Sequence, residues 1–182
     1  PVLKRKNINI RVEDARFVLA TEKKPYDIII SQPSQSWQSG IANLFTREFF
    51  EIVRDRLSQK GVFAQWLNLY NTDAEVVQSI LRTFFEVFPH GYVFGDYKDD
   101  QLVLIGSLQS QPIDMEKLEY LCRDPLWQKI LVNLPVSSAT QFLTNLLFTR
   151  DAALTASQSA PLNTDINAYA EVRQSRLFYS LR

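Results

Sequence analysis

Three consecutive isoleucines, Ile28-Ile29-Ile30, sit in the run Tyr26-Asp27-Ile28-Ile29-Ile30-Ser31. The run is continuous rather than alternating, so it predicts a strand buried on both faces. Such strands belong to parallel sheets covered by helices on each side. A polar stretch, Gln32 to Gly40, follows at once, and Thr46 with Glu48 marks a helix start beyond it. A loop at the carboxyl end of a buried strand is where open α/β sheets place their ligands. Residues 31–50 therefore constrain both the fold and the position of any site.

The flanking pattern extends this reading. Asn7 to Val12 alternates, with Ile8, Ile10 and Val12 on one side, and predicts a strand. Asp14-Ala15-Arg16 ends it, and Phe17-Val18-Leu19 begins a short helix or turn. Phe49, Phe50, Val53 and Leu57 share one helical face, with Gly61 expected to end that helix in the left-handed region. Val62 to Leu67 predicts a strand. Thr72 and Glu75 form a capping box ahead of the stripe Val76, Val77, Ile80, Leu81, Phe84 and Phe85. Tyr92–Gly95 and Leu102–Gly106 predict two strands joined by Tyr97-Lys98-Asp99-Asp100, an antiparallel hairpin. The alternation of strands and helices is the α/β signature.

After Ser110 the pattern turns helical, with helices expected over Asp114–Cys122, Pro125–Asn133 and Ser138–Arg150, the last opened by a Ser138/Gln141 capping box. Ala156–Pro161 reads as a linker. Leu162–Arg182 reads as a polar tail anchored by Tyr169, Leu177 and Phe178. The expected organisation is a partial α/β domain over residues 1–110 and a helical extension over 111–182 packed on it.

Composition narrows the function classes. The 182 residues carry 20 Lys plus Arg and 20 Asp plus Glu, so no charge excess draws the chain to nucleic acid or an anionic membrane. Lys4-Arg5-Lys6, the one basic run, reads as a solvated terminus. A single cysteine, Cys122, rules out an internal disulfide and a cysteine-based zinc cage, and fits a reducing, cytoplasmic setting. No apolar run approaches the roughly 20 residues that span a bilayer, and no segment has the form of a signal peptide. A start at Pro1 rather than methionine suggests a processed product or an excised piece. Only five glycines occur, and none forms Gly-x-Gly, the usual phosphate-side turn of a nucleotide-binding α/β domain.

The segment GIANLFTREFFE at 40–51, with YDIIIS before it, resembles the active-site loop region of the spermidine synthase family, especially its membrane-fused bacterial relatives. GVFAQWLNLY at 61–70 and PLNTDINAYAEV at 161–172 resemble further family segments in the family's order, so the likeness runs from about Asn7 to Arg173. It implies a methyltransferase-like (Rossmann-like) doubly wound sheet. It also implies aminopropyl transfer from decarboxylated S-adenosylmethionine to putrescine, with methylthioadenosine as the nucleoside product. By that resemblance Asp14, with Ala15 beside it, stands where an acid reads the adenine. Gln32 stands at the catalytic acid position and Gln35 at a second acid of the same loop. Gln65 matches a glutamine after the fifth strand. Asp165 and Glu171 match a tail that packs near the site.

Two departures stand out. The family's opening strands, with their glycine turn and ribose-binding acid, have no counterpart here. In the family's sheet they lie between the strand at 7–12 and the strand at 26–31, so the former is left without a neighbour for its backbone groups. The chemical departure is at Gln32 and Gln35. An amine nucleophile is protonated at neutral pH and must lose a proton; a glutamine amide accepts a hydrogen bond but not that proton. Loss of a general base costs about 10²–10⁴-fold in rate. The family chemistry is thus expected to be weak or absent, with no catalytic residue assigned.

Each singled-out residue also has a structural reading. Asp14 is either an adenine contact or a helix cap. Gln32 and Gln35 either line a pocket or are loop amides. Trp37 either covers a ligand or anchors the loop, and Tyr70 lies at the expected ligand edge. Gly40 and Asn43 serve backbone geometry. His90 has no nucleophile partner and reads as a surface residue. Asp96, Asp99 and Asp100 read as a hairpin turn rather than a metal cluster, so no metal is expected. The functional expectations are a degenerate spermidine synthase-like domain binding a nucleoside or polyamine, a non-enzymatic interaction or oligomerisation domain on the same fold, or an S-adenosylmethionine-dependent methyltransferase-like protein. A homo-oligomer or a missing N-terminal segment would complete the sheet.

Overall fold

A computed structural model describes residues 6–96, 100–131 and 138–180. The centre is a five-stranded mixed sheet: β1 (Tyr26–Ser31), β2 (Leu57–Asn68), β3 (His90–Asp96), β4 (Gln101–Ser107) and β5 (Leu146–Thr149), in the order β1-β2-β4-β3-β5. β1 and β2 are parallel, and the other pairs are antiparallel. The helices are α1 (Ala15–Thr21), α2 (Arg47–Arg56), α3 (Ala74–Val87), α4 (Met115–Arg123), α5 (Pro125–Leu131), α6 (Ala139–Leu143), α7 (Arg150–Ser157) and α8 (Tyr169–Ser180). This is the α/β class that the strand and helix alternation predicts, in the Rossmann-like form that the family resemblance implies.

The core lies between one face of the sheet and α2, α3 and α7. Phe63 and Leu67 of β2, Val93 of β3 and Leu102 and Leu104 of β4 point into it. So does the stripe of α3, in which Val76, Ile80, Leu81, Phe84 and Phe85 are all buried and Val77 packs at the margin. Phe50, Phe63, Phe84 and Phe88 form an aromatic cluster with ring centroids 4.8 to 6.5 Å apart. Gly106 lies beneath it. A Cβ there would come within 2.6 Å of Phe88 and 2.9 Å of Phe84. Its partner across β3–β4 is Gly91, where a Cβ would meet the Ile105 carbonyl at 1.9 Å. Gly106 lets Phe84 and Phe88 lie against bare backbone, while Gly91 admits the Ile105 carbonyl and the edge of Phe85.

The hairpin of β3 and β4 forms as predicted; its connection at residues 97–99 lies outside the described residues, as does the Asp96 side chain. The helix expected from Phe17 is α1, and Thr46 caps α2 by accepting from the Phe49 N–H. Ser138 caps α6 by accepting from the Gln141 N–H at 3.1 Å.

Several expectations are corrected. Residues 7–12 form no strand, and Ile8, Ile10 and Val12 are exposed, Val12 to 97%. Alternation proposes a strand, but without a neighbour its N–H and C=O groups have no ladder to join. Gly61 does not end α2, which stops at Arg56; Leu57 is buried but already belongs to β2. Gly61 instead admits the Tyr26 carbonyl, which would be 2.9 Å from a Cβ. The cap of α3 is Asp73, whose carboxylate accepts from Glu75 N–H at 2.7 Å, while the Thr72 hydroxyl donates to Asn68 O.

The helix expected over Ser138–Arg150 is three elements, α6, β5 and the start of α7. Leu146-Leu147-Phe148-Thr149 completes the edge of β3, and pairing with that edge overrides local helical spacing. The chain after residue 110 is therefore not helical throughout. The supposed linker 156–161 is packed: Ser157 and Ala160 are buried, and Ser79 donates to Pro161 O at 2.7 Å. The segment after Leu162 is likewise no loose tail, since it leads into α8. Residues 4, 5, 132 and 133 and the side chains of Leu177 and Phe178 lie outside the described residues.

Helices cover both faces unevenly. Opposite the core, α6 reaches the sheet through Phe142, 5.3 Å from the Phe94 ring. At β1 the same face is open, with Ile28 66% and Ile30 72% exposed. β1 therefore forms as predicted but is not buried on both faces as its continuous apolar run leads one to expect, because no helix packs on that side among the described residues. Among the described residues no helix is long and apolar enough to cross a membrane.

Gly106→Ala is expected to lower stability by about 1–3 kcal/mol, because the new methyl group drives Phe84 and Phe88 off their packing. Chemical denaturation should show a lower midpoint with an unchanged slope.

Candidate functional site

The loop after β1 begins at Gln32, turns through residues 36–41, and enters a 3₁₀ turn over Ala42–Phe45 before α2. Gly40 has φ of 80°, which favours glycine. The turn closes with Ile41 and Ala42 N–H groups both donating to Gln38 O, at 2.9 and 2.8 Å. Asn43 also serves the backbone: its carbonyl accepts from the Thr46 hydroxyl at 3.1 Å and from Arg16 at 3.2 Å. Gln32 is exposed, Gln35 and Trp37 are half-buried, and Ser36 is buried, its hydroxyl without a partner among the described residues. No carboxylate occurs between Asp27 and Glu48. The loop therefore presents amides and hydroxyls, and no group in it takes up a proton at neutral pH.

Gln65 stands opposite Ser31 across β1–β2, so it adjoins the start of this loop. It is fully buried on the core face between Phe63 and Leu67. Its Nε2 donates to Trp66 O at 3.0 Å, and its Oε1 has no partner among the described residues. A buried orphan of this kind costs about 1–3 kcal/mol. Periodicity marks position 65 as core-facing; nothing in the sequence shows that a polar side chain occupies it unsatisfied. Tyr70 lies beyond the carboxyl end of β2. Strand β2 runs on to Asn68, about 10 Å past the Ser31–Gln65 level at roughly 3.3 Å per residue. Tyr70 is 62% exposed there, and its N–H donates to Asn68 Oδ1.

Asp14 is on a separate element. It caps α1, its Oδ1 accepting from Phe17 N–H at 2.7 Å, and remains exposed with Ala15 beside it. The exposed carboxyl suits one polar contact to a nucleoside amino group. Around it the described residues supply no walls, since 8–13 and Phe17 are exposed.

A polar centre whose residues Asp165 and Glu171 the family resemblance marks only as a packed tail borders α1. Arg16, Asn43, Thr46, Asn163, Asp165 and Glu171 border a cavity of about 300 Å³. Arg16 grips Asp165 with both guanidinium nitrogens, one bond being 2.9 Å. Hydrogen bonds from Arg16 hold the Asp165 carboxyl below its ordinary pKa, helped by the Thr46 hydroxyl and opposed by partial burial; the same pairing raises Arg16. The Asp165 N–H donates to Glu48 at 2.9 Å.

Asn163, fully buried, ties four segments. Its N–H donates to the Thr83 hydroxyl at 2.8 Å, and its Nδ2 to Phe45 O at 3.0 Å. Its Oδ1 accepts from Ala170 N–H at 3.1 Å, and its carbonyl from Arg47 N–H at 2.9 Å. PLNTD is thus a clamp holding the tail against α2 and α3. Its signal in the sequence was only a matched motif, because apart from Ala170 its partners are 80 to 118 residues away.

The comparisons agree with this architecture. The family model for the spermine/spermidine synthase domain matches residues 2–94. No curated protein matches. A probable spermidine synthase from Corynebacterium glutamicum is 21% identical, with a TM-score of 0.56, covering 85% of this chain and 53% of that one. The spermidine synthase from Thermotoga maritima is 18% identical, with a TM-score of 0.57, covering 80% and 48%. Human methyltransferase-like protein 13, solved with SAH, is 21% identical at a TM-score of 0.50, covering 60% and 54%. A Rossmann-like fold shared with spermidine synthases and a methyltransferase defines the class. The chain belongs to the spermine/spermidine synthase family, and it spans about half the length of these solved neighbours.

Two outcomes test the clamp. Asn163→Ala is expected to lower stability by about 2–4 kcal/mol through the buried groups it strands, read by thermal or chemical unfolding. For Asp165 the sign is fixed by a folded pKa below the unfolded one. Its contribution is present above the unfolded pKa and is lost as pH falls through the folded value. Asp165→Asn should flatten the acid limb of the stability–pH curve below about pH 4 and leave its neutral-to-alkaline shape unchanged.

Proposed function

We propose that this chain is a spermidine synthase-like module that binds a nucleoside such as methylthioadenosine and carries out little or no aminopropyl transfer. The observation that carries the reading is the carboxylate-free loop at the end of β1. Gln32 and Gln35 occupy the positions where the family resemblance places acids. An amide neither accepts the ammonium proton nor offsets a dication's charge, so putrescine and spermidine lose their main source of affinity. The exposed Asp14 supports retention of one nucleoside contact. Its cap duty does not conflict with that, because the cap occupies one carboxylate oxygen.

The test is thermal unfolding with methylthioadenosine, S-adenosylmethionine, putrescine or spermidine. At about 100 times its dissociation constant a ligand adds roughly 2.7 kcal/mol, a rise of several degrees in a chain of this size. Methylthioadenosine is expected to raise the midpoint, Asp14→Ala to abolish that rise, and the two polyamines to have no effect. Stabilisation by putrescine, or an aminopropyl product from the unmodified chain, would overturn the reading. A cooperative melt unmoved by all four compounds would favour a non-enzymatic interaction domain instead. S-adenosylmethionine binding with methyl transfer would favour the methyltransferase-like alternative.

A further inference from the structure

We propose that Arg16 and Asp165 are positioning residues for the nucleoside contact. Their forked pair fixes where Asp14 points and makes the returning tail part of that site. This inference rests on the nucleoside reading of Asp14.

Asp14 is the cap of α1, and Arg16 lies in the first turn, two residues on. One Asp14 carboxylate oxygen is held by the Phe17 N–H at 2.7 Å. The direction of the other oxygen is therefore set by the orientation of that turn. The far end of α1 is fixed by Leu19, which packs against the core and whose carbonyl accepts from Arg56 Nε at 2.9 Å. The near end, beside Asp14, is fixed by Arg16.

Three segments meet at the Arg16 guanidinium. Nη1 donates to Asp165 Oδ1 at 2.9 Å and to Asn43 O at 3.2 Å, and Nη2 donates to Asp165 Oδ2. A fork of parallel bonds sets direction as well as distance, which a single ammonium contact does not. Asn43 belongs to the 3₁₀ turn that leads from the β1 loop into α2. The same guanidinium thus sets the spacing between Asp14 and that loop. Asp165 is itself held in place: its N–H donates to Glu48 at 2.9 Å, and it follows the buried Asn163 by two residues. Side chains 149 positions apart jointly decide where Asp14 lies.

Folding free energy accounts for little of this pair. The side chains of Arg16 and Asp165 are 20% and 38% exposed, and ion pairs this open to water contribute little to stability. The tail is already held by Asn163. What the fork adds is orientation at the first turn of α1.

Titration calorimetry with two probes tests this. One is methylthioadenosine, and the other is the same nucleoside with hydrogen in place of the adenine amino group. The second probe offers Asp14 no donor, so the unmodified chain should prefer methylthioadenosine by about tenfold. Arg16→Lys and Asp165→Asn should each weaken methylthioadenosine binding by about 3- to 30-fold and bring the preference close to one. Binding of the second probe should stay nearly unchanged. Asp165→Glu, which keeps a two-oxygen acceptor, should retain most of the preference. In an Asp14→Ala chain, adding Arg16→Lys should cost no further affinity. A cooperative unfolding transition without ligand checks that each variant is folded. A preference unchanged in Arg16→Lys and Asp165→Asn, or an equal loss on both probes, would overturn the positioning role and leave the nucleoside reading standing. An unmodified chain that binds neither probe would overturn that reading and this inference with it.

Discussion

Contact between α3 and two bare glycines governs the rest of this structure. Phe84 and Phe88 approach Gly106 closer than any Cβ would allow, and Phe85 lies against Gly91, its partner across β3–β4. That approach sets how deeply α3 sits. It lets Phe50 of α2 and Phe63 of β2 close around the same cluster. Interiors packed to crystal density transmit such local geometry. The depth of α3 in turn sets where Ser79 and Thr83 meet the returning tail.

That tail is where family resemblance and physical role meet. Asn163 makes four hydrogen bonds to groups that burial would otherwise leave unpaired, and Asp165 clamps α1 through Arg16. Both serve architecture, holding the returning tail against the helices that cover the sheet.

The loop after β1 and the exposed face of β1 follow from the same strand. Its carboxyl end leads directly into Gln32 and the carboxylate-free loop, and its face away from the core leaves Ile28 and Ile30 exposed. Residues 7–12 take an irregular course because alternating isoleucines make a strand only beside another strand.

Local pattern alone determined β1, the α3 stripe, the β3–β4 hairpin and the caps at Thr46 and Ser138, because each depends on neighbours within a few residues. It also showed that the loop has no acid, which is a matter of composition rather than geometry. Tertiary structure decided the rest. Leu146–Thr149 became a strand because β3 had an edge to fill. Residues 7–12 did not, because they join no ladder among the described residues. Gly61 turned out to admit a carbonyl rather than end a helix, and Gln65 proved buried beneath the helices rather than open to a ligand. The Arg16–Asp165 and Asn163 clamps join residues far apart in the chain, and no periodicity records which distant backbone will come within hydrogen-bond reach.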